Sequence, residues 1–286
     1  MGRARITSPD RLAAELVRGA VDAGGLLVCT DFDGSLAPIV QRPEQARALP
    51  RALAAVAWLT RAGARDGVGA RCPVGLAVVT GRDSDDAAHR LELGPEGVAS
   101  GNLGLERWSG GRVELEEGVE DWLPALAAAT AELEAALEAG RLPGARLERK
   151  RCSAVIHTRG LGSAAEAEAL ELATAVAGTC GLTVTTGKRA AEVRVPVGRD
   201  KGSAVADLRA AGWEAAALCA AGDDGGDIPM LRIACAAAPL GTAVAVADAE
   251  VPAEVLAAAA HTVDGPWAWA QALELLVEGL RRREPA

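Results

Sequence analysis

The sequence predicts an α/β fold with a parallel sheet and one inserted α+β domain, and three observations support this. Apolar runs of strand length alternate with segments of helical spacing towards both ends of the chain, which is typical of a parallel sheet covered by helices. Between residues 108 and 195 the pattern changes to helices followed by paired strands. Polar clusters follow three of the apolar runs, at the positions where open α/β sheets bind ligands.

The N-terminal part of the chain predicts the first strands of this sheet. Apolar side chains at helical spacing predict a helix at residues 9–23, for which Ser8 is a suitable N-cap. Continuous apolar stretches predict buried strands at Leu26–Thr30 and Val74–Val79, and a further strand begins at residue 97. Further helices are predicted at residues 48–62 and 84–93.

The middle of the chain, residues 108–195, predicts a separate domain. It opens with a Gly-containing stretch at 108–115 that predicts a hairpin. Its other predicted elements are helices at 122–139 and 163–177 and strands at 154–158, 183–186 and 191–195. This order differs from the alternation on either side, so we expect an insertion into the sheet domain.

The alternation of strands and helices resumes after Pro196. The elements predicted there are helices at 201–211, 229–235 and 267–280 and strands at 215–221 and 242–246. Residues 1–107 and 196–286 together therefore predict one domain, which the inserted domain interrupts.

Composition and charge argue against several classes of protein. The 286 residues carry a formal net charge of −9 and only 2 % aromatic side chains, which disfavours a nucleic-acid-binding surface. The six cysteines contain no Cys-x-x-Cys pair and the three histidines stand alone, so we expect neither a disulfide framework nor a zinc site. The sequence shows no signal peptide and no apolar stretch of membrane-spanning length. We expect a cytoplasmic protein, a monomer or weak dimer, without nucleic-acid or membrane partners.

The polar clusters that follow the apolar runs are rich in carboxylates. They are Asp31-Phe32-Asp33, Thr80-Gly81-Arg82 and Gly222-Asp223-Asp224. Because the carboxyl ends of parallel strands share one edge of a sheet, we expect these clusters to converge. Asp and Gly also form ordinary turns, but three clusters in this order, with Lys201 at the start of the intervening helix, favour a functional site.

The chemistry of these residue types points to phosphoryl transfer at a metal site. Two carboxylates two residues apart repel each other, and a hard cation such as Mg²⁺ relieves that repulsion. An Asp can attack phosphorus to form an aspartyl-phosphate, while a second Asp protonates the leaving group and later activates water. In this interpretation Thr80 and Lys201 hold the phosphoryl oxygens, and Asp223, Asp224 and Asp227 complete the metal site.

The same clusters, in order and in spacing, resemble the four motifs of the haloacid-dehalogenase (HAD) superfamily. The resemblance implies a Rossmann-like HAD core with a parallel sheet and a C2-type cap as the inserted domain. It implies that Asp31 is the nucleophile, that Asp33 is the general acid/base, and that Lys201 pairs with Asp31. The Mg²⁺ ligands that it implies are Asp31, the main-chain carbonyl of Asp33, and Asp223, with Asp227 in support.

Several further stretches narrow the resemblance to the trehalose-6-phosphate phosphatases. They are Asp31–Ile39, Ser100–Glu106, Glu148-x-Lys150 with Ser153, His157 and Arg159, Gly187-Lys188, and Glu192–Pro196. In that family a Lys and a Glu of the cap bind sugar hydroxyls, which implies this role for Lys150 and Glu192. Arg82 and Asn102 complete the predicted substrate-binding residues. The implied function is Mg²⁺-dependent hydrolysis of trehalose 6-phosphate in trehalose biosynthesis.

Two departures from the family pattern keep other substrates open. Leu103 stands where the family has His, which removes a polar contact, and residues 225–228 read Gly-Gly-Asp-Ile instead of Arg-Thr-Asp-Glu. A site that loses one hydrogen-bond donor can change its specificity. The alternatives are a phosphatase for another sugar phosphate or a glycosyl-phosphoglycerate, a non-catalytic sugar-phosphate sensor or synthase partner, and a receiver-like domain that is stably phosphorylated on Asp.

Overall fold

A computed structural model gives the structure of residues 6–64, 73–187, 189–237, 240–249 and 251–283. By its contacts the chain divides into two compact units. The first unit is Met1–Glu114 with Arg199–Ala286, and the second is Leu115–Gly198. None of the helices in these described ranges is long and apolar enough to cross a membrane.

The helices and strands of the described residues alternate along most of the chain. The helices are α1 (Pro9–Ala23), α2 (Pro50–Ala64), α3 (Ser84–Arg90), α4 (Leu123–Glu138), α5 (Ser163–Cys180), α6 (Lys201–Ala210), α7 (Ile228–Ala236), α8 (Ala253–Ala258) and α9 (Gly265–Arg281). The strands are β1 (Leu26–Thr30), β2 (Val74–Val79), β3 (Val98–Gly101), β4 (Glu106–Ser109), β5 (Arg112–Leu115), β6 (Arg146–Arg149), β7 (Ser153–His157), β8 (Thr183–Gly187), β9 (Ala190–Arg194), β10 (Ala217–Gly222), β11 (Gly241–Ala247) and β12 (His261–Asp264).

The first unit is built on a sheet of eight strands in the order β12-β11-β10-β1-β2-β3-β4-β5. From β12 to β3 every pair of neighbours is parallel. On one side of β1 the strands follow as β2 and β3, and on the other side as β10, β11 and β12. The strand order therefore reverses between β1 and β10. Ligands of open α/β sheets bind at such a point, beyond the carboxyl ends of the strands.

Helices cover both faces of this sheet because its central strands are apolar on both sides. In β1, Leu26 and Val28 pack with α1, α2 and α9, while Leu27 and Cys29 pack with α6, α7 and α8. This alternation follows from the two-residue period of a strand. The fully buried Trp269 of α9 donates its indole N–H to Thr30 Oγ1 at 3.1 Å, and so fixes the end of β1.

The second unit is a four-stranded antiparallel sheet covered by two helices. Its strand order is β6-β7-β9-β8, and every neighbouring pair is antiparallel. Helices α4 and α5 pack against each other and against this sheet. The buried side chains include Ile156 and Val193 from the sheet and Leu133 and Leu172 from the helices.

The predicted fold class is confirmed, with one difference in where the hairpin of residues 108–115 belongs. We assigned it to the inserted domain, but β4 pairs antiparallel with β3 and extends the first sheet. The contacts therefore divide the chain at Leu115 and Gly198 and not at the predicted residues 108 and 195. The assignment of the two units as catalytic core and cap stays a prediction.

Candidate active site

The turn after β1 places the first two carboxylates. The N–H of Asp31 donates to the carbonyl of Ala221 in β10 at 2.9 Å, which continues the parallel pairing by one residue. The carbonyl of Phe32 then accepts from the N–H groups of Leu36 and Ala37, at 2.9 Å each, and closes a tight turn. Asp31 therefore directly follows the end of a central strand, and Asp33 lies within the turn after it.

Two glycines allow the acidic loops to approach each other. Gly34 has φ +79°, and a Cβ built on it would lie 2.2 Å from the carboxylate of Asp223. A Cβ on Gly222 would lie 2.2 Å from the Asp227 side chain. Any larger residue at either position would push the carboxylates apart, so both glycines are required by close packing.

Asp227 organises the loop after β10. Its Oδ2 accepts from the N–H of Asp223 at 2.8 Å and of Asp224 at 2.9 Å, while its Oδ1 accepts from Lys201 Nζ at 2.6 Å. Asp227 is fully buried. This carboxylate therefore fixes both the loop that carries Asp223 and the ammonium group of Lys201.

Lys201 links the acidic loop to the end of β1. It is the first residue of α6, whose N-cap Asp200 accepts from the N–H of Ser203 at 2.8 Å. Its Nζ lies 2.9 Å from Asp31 Oδ1, and its side chain is only 3 % exposed. Lys201 thus divides one positive charge between the carboxylates of Asp31 and Asp227.

One ammonium does not balance the carboxylates that surround it. Burial raises the pKa of Asp31 well above its ordinary value; the charge of Lys201 opposes this rise, and the nearby carboxylates add to it. Burial also raises the pKa of Asp227, again against the effect of Lys201. The pKa of Lys201 is raised in turn, because the two carboxylates outweigh the effect of burial.

The excess of buried negative charge fits a divalent cation. One oxygen from each of Asp31, Asp223 and Asp227 can be chosen so that all three lie within 4.8 Å of one another, and all three residues are buried. Carboxylate oxygens are the ligands that Mg²⁺ prefers. These three predicted ligands therefore come together as a site for a hard cation, whose identity as Mg²⁺ stays a prediction, as does the part of the Asp33 carbonyl.

The loop after β2 carries Thr80 and Arg82 to the same edge of the sheet. The N–H of Thr80 donates to the carbonyl of Ser100 at 2.8 Å, and its Oγ1 accepts from the N–H of Arg82 at 3.3 Å. Thr80 is buried at the carboxyl end of β2, the strand next to β1. Its predicted contact with a phosphoryl group is compatible with this position and stays a prediction.

The guanidinium of Arg82 makes a fork with the carboxylate of Asp33. Arg82 Nε lies 2.6 Å from Asp33 Oδ2, and Nη2 lies 2.7 Å from Oδ1. Nη1 donates to Asp86 Oδ2 at 3.0 Å, and Nη2 also donates to the carbonyl of Pro43 at 2.7 Å. The guanidinium carbon lies 5.0 Å from the centre of the Phe32 ring.

Asn102 and Leu103 lie beside this loop in a left-handed backbone conformation, with φ 48° and 56°. The N–H of Asn102 donates to the carbonyl of Arg82 at 2.8 Å, and its Nδ2 donates to Asp83 Oδ1 at 2.7 Å. A Cβ on Gly81 would lie 3.6 Å from Leu103 Cδ2, and one on Gly226 would lie 3.7 Å from it. An apolar side chain therefore borders both polar loops, and the substrate contact predicted for Asn102 stays a prediction.

The predicted substrate residues of the second unit form a hydrogen-bonded cluster. Glu192 Oε1 accepts from Ser153 Oγ at 2.6 Å and lies 3.4 Å from Lys150 Nζ, and Oε2 accepts from Thr185 Oγ1 at 3.3 Å. Although burial alone would raise the pKa of Glu192, the charge of Lys150 and the Ser153 hydrogen bond lower it below its ordinary value. Sugar binding by Lys150 and Glu192 stays a prediction, and Lys188 lies outside the described residues.

The residues that the sequence did not single out are the ones that hold Arg82. Asp86 of α3 contacts both Arg82, four residues before it in the preceding loop, and Arg90, four residues after it at the end of the helix. This spacing is the signal that could have found the network. The contact with the Pro43 carbonyl has no such signal, because it joins segments 39 residues apart.

Comparisons with known proteins agree with this geometry. The family model described as Trehalose-phosphatase matches residues 29–233. The trehalose-phosphate phosphatase of Mycobacterium tuberculosis is 35 % identical over 198 residues, which cover 68 % of this chain and 46 % of that protein. An uncharacterized glycosyl hydrolase of the same organism is 32 % identical over 179 residues, 62 % of this chain and 12 % of that protein. The match thus spans less than half of either relative.

A solved structure shows the same fold. The C-terminal domain of the trehalose-6-phosphate phosphatase of Candida albicans superposes with a TM-score of 0.73, covering 97 % of this chain and 99 % of that one. The two sequences are only 19 % identical, so this likeness supports the fold alone.

Proposed function

The chain belongs to the trehalose-phosphatase family, and from this premise we propose that it is a Mg²⁺-dependent phosphatase. The proposed reaction hydrolyses trehalose 6-phosphate to trehalose and phosphate through an aspartyl-phosphate at Asp31. The observation that carries the proposal is the buried cluster in which Lys201 lies 2.9 Å from Asp31 and 2.6 Å from Asp227. The proposed location is the cytoplasm.

In the first half-reaction the carboxylate of Asp31 attacks phosphorus. A bond forms between Asp31 Oδ and phosphorus, the bond from phosphorus to the sugar oxygen breaks, and the carboxyl proton of Asp33 passes to that oxygen. Thr80 and Lys201 hold the phosphoryl oxygens during this step. The products are free sugar and phosphorylated Asp31.

In the second half-reaction water removes the phosphoryl group. The water oxygen bonds to phosphorus, one water proton passes to the carboxylate of Asp33, and the bond between Asp31 and phosphorus breaks. Phosphate leaves, Asp31 is again a carboxylate, and Asp33 again carries the proton that the first half-reaction needs. The cycle is therefore balanced without a further reactant.

Asp31, Asp223 and the main-chain carbonyl of Asp33 would hold the proposed Mg²⁺ ion, with Asp227 in support. When bound, the ion would neutralise carboxylate charge and stabilise negative charge on the transferring phosphoryl group. Lys201 supplies one positive charge, which Asp31 and Asp227 share, so we expect catalysis to depend on the added cation.

Leu103 favours a second candidate substrate class, another phosphate monoester with fewer hydroxyl groups near the phosphate. Its side chain borders the loops that carry Gly81 and Gly226, and it offers no hydrogen bond to a sugar hydroxyl. Sites that hydrogen-bond a substrate hydroxyl discriminate strongly, whereas apolar walls discriminate weakly.

A substrate panel tests the proposal. Phosphate release is measured in Mg²⁺ for trehalose 6-phosphate, glucose 6-phosphate, a glucosyl-phosphoglycerate and 4-nitrophenyl phosphate, with wild type and Leu103→His. We expect the highest kcat/KM for trehalose 6-phosphate, raised further by Leu103→His.

Other outcomes of the substrate panel would favour one of the alternative functions. A higher kcat/KM for another ester, lowered by Leu103→His, favours the second substrate class. Binding of trehalose 6-phosphate in calorimetry, without phosphate release from any ester, favours a non-catalytic sensor and contradicts the proposed activity.

A further inference from the structure

We infer that Arg82 is a positioning residue that holds Asp33 as the general base of the second half-reaction. The inference rests on the proposed function and deepens it by assigning a role to a residue outside the metal cluster. It also replaces the sequence-based expectation that Arg82 contacts substrate. Four features of the structure support it.

The first feature is the geometry of the fork between Arg82 and Asp33. Two N–H groups, from Nε and Nη2, reach the two carboxylate oxygens at 2.6 and 2.7 Å. A two-bond pair of this kind uses one lone pair of each oxygen and so sets the direction of the whole carboxyl group. Each oxygen keeps a further lone pair, which can accept a proton from a water molecule.

The second feature is that the guanidinium is itself held from several sides. Its side chain is 8 % exposed, and it donates to Asp86 and to the Pro43 carbonyl as well as to Asp33. Together these contacts use four of the five N–H groups that an Arg side chain has. Arg82 therefore has little capacity left for a substrate phosphate, and its direction is set before substrate arrives.

The third feature is the support beneath the loop that carries Arg82. The carbonyl of Arg82 accepts from the N–H of Asn102 at 2.8 Å. The buried Glu106 accepts from the N–H of Ser84 at 2.5 Å and so fixes the start of α3. Positioning side chains act well only when neighbouring residues lock them, and this loop is locked at both ends.

The fourth feature is that Asp33 has more freedom than Asp31. The side chain of Asp33 is 33 % exposed, whereas that of Asp31 is 8 % exposed. A half-exposed carboxylate on a turn can rotate unless another group orients it, and a misplaced base loses much of its effect. The fork from Arg82 supplies that orientation.

Arg90 is a matched control for Arg82. Both side chains donate to Asp86, and both reach carbonyls of residues 43–46, since Arg90 donates to those of Glu44 and Ala46. Arg90 is 13 % exposed, close to the 8 % of Arg82. Of the two arginines, Arg82 contacts Asp33 and Arg90 does not. Replacing Arg82 therefore frees the carboxylate of Asp33, whereas replacing Arg90 leaves it held.

Rapid mixing with 4-nitrophenyl phosphate in Mg²⁺ separates the two half-reactions. Because nitrophenolate is a good leaving group, the first half-reaction with this substrate does not need a proton from Asp33. The second half-reaction, hydrolysis of phosphorylated Asp31, is the same for all substrates. For Arg82→Lys, which keeps the charge but lacks the fork, we expect a burst of nitrophenolate close to one per site. Steady-state kcat should then fall by about 10²-fold, and mass spectrometry of the quenched protein should show phosphorylated Asp31.

The controls and contrary outcomes are distinct. Arg90→Lys should show no burst and a kcat near that of wild type. The inference is overturned if Arg82→Lys loses activity without a burst, if it keeps wild-type kcat, or if Arg90→Lys shows the same burst. A wild-type protein that hydrolyses neither 4-nitrophenyl phosphate nor trehalose 6-phosphate overturns the proposed function, and this inference with it. Arg82→Gln repeats the test without the charge.

Discussion

Two clusters of buried charge, one in each unit, differ in whether their carboxylates are balanced. Around Asp31 and Asp227 several carboxylates share the ammonium of Lys201, and burial raises the pKa of both. Around Glu192 one carboxylate has a lysine and two hydroxyl groups, and its pKa is lowered. The first cluster could therefore hold a further cation, whereas in the second the carboxylate of Glu192 is already held by an ammonium and two hydroxyl groups.

This difference separates two uses of buried charge. A buried carboxylate with enough partners makes a rigid polar network, since its lone pairs are satisfied within the protein. A buried carboxylate with too few partners destabilises the fold until a ligand supplies the missing charge. The imbalance lies at the reversal point of the first sheet, where open α/β sheets bind ligands.

The largest expected effect comes from removing the lysine of each cluster. Lys201→Met leaves buried carboxylates without their cation, and we expect it to lower the free energy of unfolding by about 3–5 kcal/mol. Lys150→Met removes a contact of 3.4 Å from a carboxylate that keeps two hydroxyl donors. We therefore expect this change to lower the free energy of unfolding by only about 1 kcal/mol. Urea denaturation followed by circular dichroism compares the two. Equal losses would contradict the difference between the clusters.

The next effect is stabilisation by magnesium. A cation that binds only the folded state raises the free energy of unfolding by about 2.7 kcal/mol when its concentration is a hundred times its Kd. We expect Mg²⁺ to raise the Tm of the wild type and of Glu192→Gln, and to leave the Tm of Asp223→Asn almost unchanged. Thermal unfolding with and without Mg²⁺ makes the comparison. An Asp223→Asn protein that responds like the wild type would place the cation elsewhere.

The smallest effect is the pH dependence of the second cluster. The folded pKa of Glu192 lies below its ordinary value of 4.5, so its ion pair stabilises the fold above that pH. This contribution disappears as the pH falls through the lowered pKa. At neutral pH we expect the free energy of unfolding, measured by urea denaturation, to be about 1–3 kcal/mol higher for the wild type than for Glu192→Gln. The two free energies should become equal in acid. A difference that grows in acid would contradict a lowered pKa of Glu192.

The sequence predicted the buried strands and the residues at their ends well, for a physical reason. Asp31, Thr80 and Asp223 follow apolar runs too short for helices, and parallel strands leave little choice about which ends meet. Helix α1 was also predicted with its bounds and its Ser8 cap. Strong local patterns therefore gave both the sheet and the acidic cluster.

Other features depend on contacts that leave little trace in local sequence. The hairpin β4–β5 has an ordinary hairpin pattern, and only its pairing with β3 shows that it belongs to the first sheet. The strand β12 has only four residues, His261–Asp264, too few to give a periodic signal. The fork between Arg82 and Asp33 joins residues 49 apart. Both residues were therefore predicted to belong to the site, but the contact between them was not predicted.

Phosphate release from trehalose 6-phosphate, compared in Mg²⁺ and in EDTA for wild type and Asp31→Asn, tests the central claim most directly. We expect release by the wild type in Mg²⁺ only, and a loss of more than about a thousandfold in Asp31→Asn. Release that persists in EDTA, or that survives the loss of the Asp31 carboxylate, would contradict a cation-balanced nucleophile at this site.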